Sequence, residues 1–158
     1  MTRQFIINPL ISVGEIQFGM DRRKVREILG EYSEYRNREE DVNTADSFDI
    51  CHVFYSESDK VEFIMFHTFD DIELKWDSQE LTKMTKPELV SLFSSLDEKL
   101  SYEYDYYETN IVSIVSNALG IACYFETDVD FDEDDNEIET DIVATISFAI
   151  KDFWINEV

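Results

Sequence analysis

A chain of 158 residues is long enough for one fully cored domain and short for two, so 1–158 reads as a single domain. Its formal net charge of −23 repels phosphate backbones and argues against direct nucleic-acid binding. A hydrophobic content of 44%, with twelve Phe and eight Tyr, argues against a disordered acidic chain.

In chain order, the first expected strand is Ile11–Gln17. A helix is predicted over 21–30. Asp21 is its N-cap candidate, Met20 and Val25 have the spacing of a hydrophobic staple, Val25/Ile28/Leu29 form the apolar stripe, and Gly30 is the stop. Arg22, Arg23, Lys24 and Arg26 put positive charge in its first turn, against the helix dipole. They read either as partners for acids on a neighbouring strand or as a second contact patch. Ile50–Tyr55 and Val61–Phe66, split by a polar turn, predict a hairpin, and Ile72–Trp76 a further strand. A second helix is predicted over 86–99, opened by the capping box Thr85-x-x-Glu88 with Pro87 in its first turn. Tyr102–Tyr107 and Ile111–Val115 follow as strands, and Ile121–Phe125 with Ile142–Ile150 as a second hairpin.

The two helix starts match at an offset of 64 residues, Met20 on Met84, and each helix precedes an apolar hairpin carrying a cysteine, Cys51 or Cys123. One such unit cannot bury its own apolar face. The prediction is therefore an α+β fold of two pseudo-repeats, about 11–76 and 81–158, each a helix packed on antiparallel strands. The cysteines have no metal or redox spacing and read as buried free thiols, which fits a reducing cytosol. The mildly apolar start lacks the features of a signal peptide, and no window nears the roughly 18 apolar residues of a membrane span, so a cytoplasmic protein without a membrane partner is expected.

Ile16-x-Phe18-Gly19-Met20, Val25-x-x-Ile28-Leu29-Gly30 and the return strand Lys60-Val61-Glu62 resemble a pattern of small bacterial proteins. These include immunity proteins of polymorphic toxin systems and duplicated helix-plus-strands folds of the β-lactamase-inhibitor-protein type. The resemblance covers residues 11–66 well and 84–150 loosely. It implies a non-enzymatic protein that binds and blocks an enzyme through an acidic, aromatic surface.

Residues 101–158 carry fifteen Asp/Glu against a single basic residue, Lys151. Asp128, Asp130, Asp132, Asp134, Asp135, Glu137 and Glu139 crowd one hairpin. Ligand spacing nearly fits a calcium loop, but Glu133 stands where the tight turn needs Gly, so no metal is assigned. The segment reads as a solvated hairpin tip, or as an arm presenting carboxylates to a basic cleft in the manner of nucleic-acid phosphates. Tyr102-Glu-Tyr104-Asp-Tyr106-Tyr107 alternates as a half-buried strand does, yet holds more tyrosines than a core strand needs. Tyr104, Tyr106 and Tyr107 are therefore the expected affinity anchors. His52 and His67 are isolated in the sequence, and no catalytic set, phosphate loop or cofactor motif is present. The expected partner is a basic protein, such as a toxin domain with nuclease activity. The alternative is a small-molecule-binding or enzymatic α+β domain with a site between the repeats.

Overall fold

Apolar residues at every second position of Cys51–Tyr55 and at Val61, Ile64 and Phe66 bury one face of a hairpin and leave the other half-exposed. That hairpin lies near the middle of the larger of two sheets in the computed structural model, which describes residues 3–36, 44–68 and 71–155. The strands are β1 (Arg3–Asn8), β2 (Ser12–Val13), β3 (Ile16–Gln17), β4 (Ser33–Arg36), β5 (Thr44–Ser47), β6 (Cys51–Tyr55), β7 (Val61–His67), β8 (Ile72–Trp76), β9 (Gln79–Glu80), β10 (Ser101–Tyr104), β11 (Ile111–Ser116), β12 (Ile121–Phe131) and β13 (Glu137–Ala149). The helices are α1 (Arg22–Leu29) and α2 (Lys86–Leu96). The chain is mixed α+β and strand-rich.

The larger sheet is antiparallel, in the order β10-β11-β12-β13-β7-β6-β5-β4. At its centre β13 pairs with β7 from Thr145–His67 to Ala149–Phe63. The smaller sheet runs β3-β2-β1-β8-β9, with β1 and β8 parallel. Phe5 of β1 meets Phe66 of β7 at 5.1 Å between ring centroids, and Trp76 of β8 stacks on Phe93 of α2 at 6.2 Å. One buried cluster thus draws on both sheets and both helices. Cys51 and Cys123 are free and buried within it; burial pushes the Cys51 thiol up to about 12 and raises that of Cys123 as well.

Several sequence expectations shift. Ile11–Gln17 is two short strands about a turn at Gly14, whose φ of +59° suits glycine. α2 carries the expected capping box but stops at Leu96, short of the predicted end at 99. Asp21 makes no side-chain cap bond; its carboxylate pairs with Lys60.

The arginines of α1 meet a carboxylate on a neighbouring strand. Asp46 of β5 is fully buried and takes bonds from Arg22 Nη2 (2.7 Å), Arg26 Nε (2.8 Å), Arg26 Nη2 (2.9 Å) and Tyr55 Oη (3.0 Å). Arg22 also lies over the Tyr55 ring and Arg26 over that of Tyr32. Burial disfavours the Asp46 anion, but the hydrogen bonds from Arg26, Arg22 and Tyr55 outweigh it and hold its carboxyl below the usual range.

Removing one partner from such a cluster strands buried charge, so Asp46→Asn should cost roughly 3 kcal/mol in urea unfolding. Because the folded pKa is depressed, this contribution is complete above the unfolded value of about 3.9 and lost as pH falls below it. The stability gap between wild type and Asp46→Asn should be flat from neutral pH to about 5 and close under about 4. A gap that persists unchanged to lower pH would contradict the assignment.

Candidate partner-binding surface

β12 and β13 outrun their neighbours. β11 pairs with β12 only as far as Tyr124, and β7 pairs with β13 only from Thr145 onward. The pairs from Phe125–Val143 to Phe131–Glu137 therefore leave the sheet as a two-stranded ribbon, about 20 Å long at 3.3–3.4 Å per residue. A register shift between Tyr124 and Phe125 marks where it departs. Residues 126–141 include ten acids and no base. The acidic insertion, expected as a solvated hairpin tip or a carboxylate-presenting arm, is thus mostly strand with a five-residue turn.

Directly paired residues share a face, so Val129/Glu139 and Phe131/Glu137 lie on one side of the ribbon and Asp130/Ile138 and Glu126/Ile142 on the other. Each face mixes carboxylates with exposed apolar groups: Phe131 is 63% exposed, Val129 46% and Ile138 45%. These apolar residues escaped the sequence reading. The alternation Asp128-Val129-Asp130-Phe131-Asp132 was the signal, eclipsed by its charge. The side chain of Asp128 lies outside the described residues.

At the tip Asp132 is a turn-former. Its Oδ1 accepts from the N–H groups of Asp134 and Asn136, both at 2.9 Å, and its Oδ2 from Asn136 Nδ2 at 3.2 Å. The backbone bond from Asn136 leads the interactions that lower its pKa. Asp135 supplies the left-handed residue at φ +61°, a conformation Asp and Asn tolerate better than most. Asp134, Asp135, Glu137 and Glu139 make no ion pair among the described residues, and no metal-ligating group of His, Cys, Asp or Glu occurs among them.

The tyrosines lie beside the root of this ribbon. β10 is the edge strand of the larger sheet, and all four of its residues are exposed. The expected strand to Tyr107 breaks at Asp105, whose carboxylate caps a turn by accepting from Thr109 N–H and Thr109 Oγ1, both at 2.8 Å. That turn leaves Tyr106 93% and Tyr107 78% exposed, so the half-buried reading fails here: among the described residues no element covers the edge. Pairing of Ser113 with Tyr124 brings the 105–110 turn to the end of the sheet from which the ribbon leaves. Tyr104, Asn110 and Ile111 there share a groove of about 570 Å³ with Pro87 and Val90 of α2 and Asp141 of β13. Lys86 closes its floor, 3.5 Å from Asp141 and over the Phe125 ring.

The α1 arginines stand at the other end, near the Ser56–Lys60 turn, where Asp59 joins Arg22 at 3.4 Å. A second groove there, about 750 Å³, is lined by Arg22, Arg23, Arg26, Tyr32 and Asp59. Of the four bases Arg22 and Arg26 serve Asp46, Lys24 pairs with Glu27, and Arg23 is exposed. A third groove, about 400 Å³, lies by Phe5 and Gly14, and none of the three draws on both expected repeats. His52 and His67, isolated in sequence, meet edge to face at 5.3 Å, and His52 Nδ1 lies 2.6 Å from Ser47 Oγ. No described helix is long and apolar enough to cross a membrane. Comparison with protein families, curated proteins and solved structures gave no match.

The carboxylates of the tip are thus unequal. Asp132→Ala should broaden or shift the NMR amide signals of 131–137, whereas Asp134→Asn with Asp135→Asn should leave them in place. Equal disturbance by both changes would mean that charge, and not the Asp132 hydrogen bonds, shapes the turn.

Proposed function

We propose that the chain is a cytoplasmic binding protein that neutralises a basic enzyme, as an immunity protein does its cognate bacterial toxin. The observation that carries this reading is the free ribbon, ten carboxylates with no base in the segment and one described ion pair, Lys86–Asp141, at its root, set beside a turn of exposed tyrosines. Like charges held together cost stability, and their return is long-range attraction of a cationic partner. Tyr104, Tyr106 and Tyr107 add amphipathic rings of the kind that dominate binding energy. Folding alone does not explain leaving such rings in water.

The reading extends to the architecture, two pseudo-repeats of about 11–76 and 81–158. In its support, each helix is followed by four strands of the larger sheet, β4–β7 after α1 and β10–β13 after α2, and the last strand of each set pairs with the other; β8, within the first repeat, goes to the smaller sheet. The final turns also agree. Ser56 N–H bonds Lys60 O at 2.8 Å with Asp59 at φ +58°, and Asp132 N–H bonds Asn136 O at 3.0 Å with Asp135 at φ +61°.

The test begins with the genes beside this one, which should encode a basic toxin-like domain that copurifies with the chain. Neutralising Asp134, Asp135, Glu137 and Glu139 together should slow association about tenfold or more at low salt and change dissociation little. Tyr106→Ala or Tyr107→Ala should instead speed dissociation. The rival surface is α1, and its fair probe is Arg23→Gln with Lys24→Gln, since Arg22 and Arg26 hold the fold. Loss of binding there, with the ribbon variant unaffected, would move the site to the other end of the molecule.

A further inference from the structure

We propose that the outer edge of β12, from Phe125 to Phe131, is a template to which an extended basic segment of the partner adds as a further strand. The inference rests on the reading of the chain as a captor of a basic protein, and it specifies the partner's shape. Beyond Tyr124 this edge has no strand neighbour among the described residues. In an antiparallel strand every second N–H and C=O points to each side, so half of the backbone groups here face outward without a ladder.

The opposite edge is less open. At its root the Thr68 N–H bonds Ala144 O at 3.0 Å, and the Thr68 hydroxyl donates to Val143 O. On the β12 side an added strand would continue the line of β11 and pass the 105–110 turn, where Tyr106 and Tyr107 stand exposed.

Natural sheets blunt such edges with proline, lysine, bulges or a covering element. Residues 125–131 contain neither Pro nor Lys and keep exposed Val129 and Phe131, residues that favour strand pairing. Beyond the register shift at Tyr124/Phe125 and the Asp130 carboxylate that accepts from the Phe131 N–H at 2.8 Å, their protection is negative charge. Like charges placed directly opposite destabilise a strand pair, so two copies of this ribbon repel one another. A strand bearing cations is attracted instead, and the same charge that excludes self-association selects the partner.

Side-chain alternation sharpens the selection. Glu126 and Asp130 project to one face of β12, and Val129 and Phe131 to the other. The fitting segment therefore alternates Lys or Arg with β-branched or aromatic residues, its cations beside the acids and its apolar groups beside Val129 and Phe131. Recognition through main-chain bonds, with alternate side chains setting specificity, is the known physics of strand addition.

The probe is a short synthetic peptide alternating lysine and valine, titrated into the full chain. Two controls share its composition: one has every backbone nitrogen methylated, and one has the lysines and valines in separate blocks. The alternating peptide should bind, and hydrogen exchange should slow at β12 amides between Phe125 and Phe131. Methylation should weaken binding roughly tenfold or more, as expected when several net hydrogen bonds are lost. The blocked peptide should bind more weakly and leave exchange unchanged. If all three peptides bind alike and salt abolishes each equally, capture is by charge alone: the edge proposal falls and the functional reading stands. If none binds while the copurifying toxin domain does, the edge proposal falls again. If the alternating peptide protects β12 but no basic enzyme is inhibited, the edge stands and the functional reading is the one that fails.

Discussion

The pairing of β13 with β7 is the contact on which the rest of the molecule depends. Five register pairs, Thr145–His67 to Ala149–Phe63, join two four-stranded meanders into one eight-stranded sheet. They set Phe148 and Ile64 against the same core face. They also fix where the sheet ends. Because β7 stops pairing at His67 while β13 extends back to Glu137, the surplus length of the second hairpin has nowhere to pair and must project. The ribbon is thus a consequence of unequal strand length on a shared register. On the other side of β13, Gly120 guards the start of the β12–β13 pairing, because a Cβ there would meet the Ala149 carbonyl oxygen at 2.4 Å while Ala149 N–H bonds Gly120 O at 2.8 Å.

Charge is divided along that axis. Near the Ser56–Lys60 turn Asp46 is compensated by two arginines, Asp59 by Arg22 and Lys60 by Asp21. At the ribbon end compensation stops with Lys86 and Asp141. The first arrangement is structural, since a carboxylate this deeply buried is tolerable only with saturated hydrogen bonding. The second has no structural return. Its acids lie on exposed strands, where mutual repulsion is softened by water and salt but still opposes the closed hairpin. The difference between the ends is what makes one a fold determinant and the other a candidate for recognition.

Local chemistry was legible wherever it was self-contained. The Thr85–Glu88 capping box, the α1 stripe and the hairpin around residues 56–60 depend on residues within a few positions of one another. What escaped depends on distant partners. β5, Thr-Ala-Asp-Ser, has poor strand propensity and becomes a strand because Asp46 is captured by α1 and Tyr55. β1 lies parallel to a strand nearly seventy residues later, a pairing with no local signature. The tyrosine alternation misled for a related reason. Period-two patterning shows that a strand has two faces, but only the packing around β10 decides whether either is covered. Charge singled out the acid-rich segment, and the same charge hid its strand character by dominating the reading of Val129, Phe131, Ile138 and Ile142.

A free ribbon of this kind is in energetic tension with itself. Two strands without a third, or without a packed face, are marginal in water. This pair also carries ten carboxylates and leaves Phe131, Val129 and Ile138 exposed. Its local supports are the Asp132 turn bonds at the tip and the Lys86–Asp141 pair with the Phe125 contact at the root. Between those two anchors the pair is held by its own ladder and by the Thr127 hydroxyl donating to Asp141 at 3.2 Å. A cationic strand laid along β12 would relieve all three deficits together by neutralising the acids, covering the apolar groups and completing the ladder. The ribbon's weakness as an isolated element and its fitness for a partner therefore have the same physical origin.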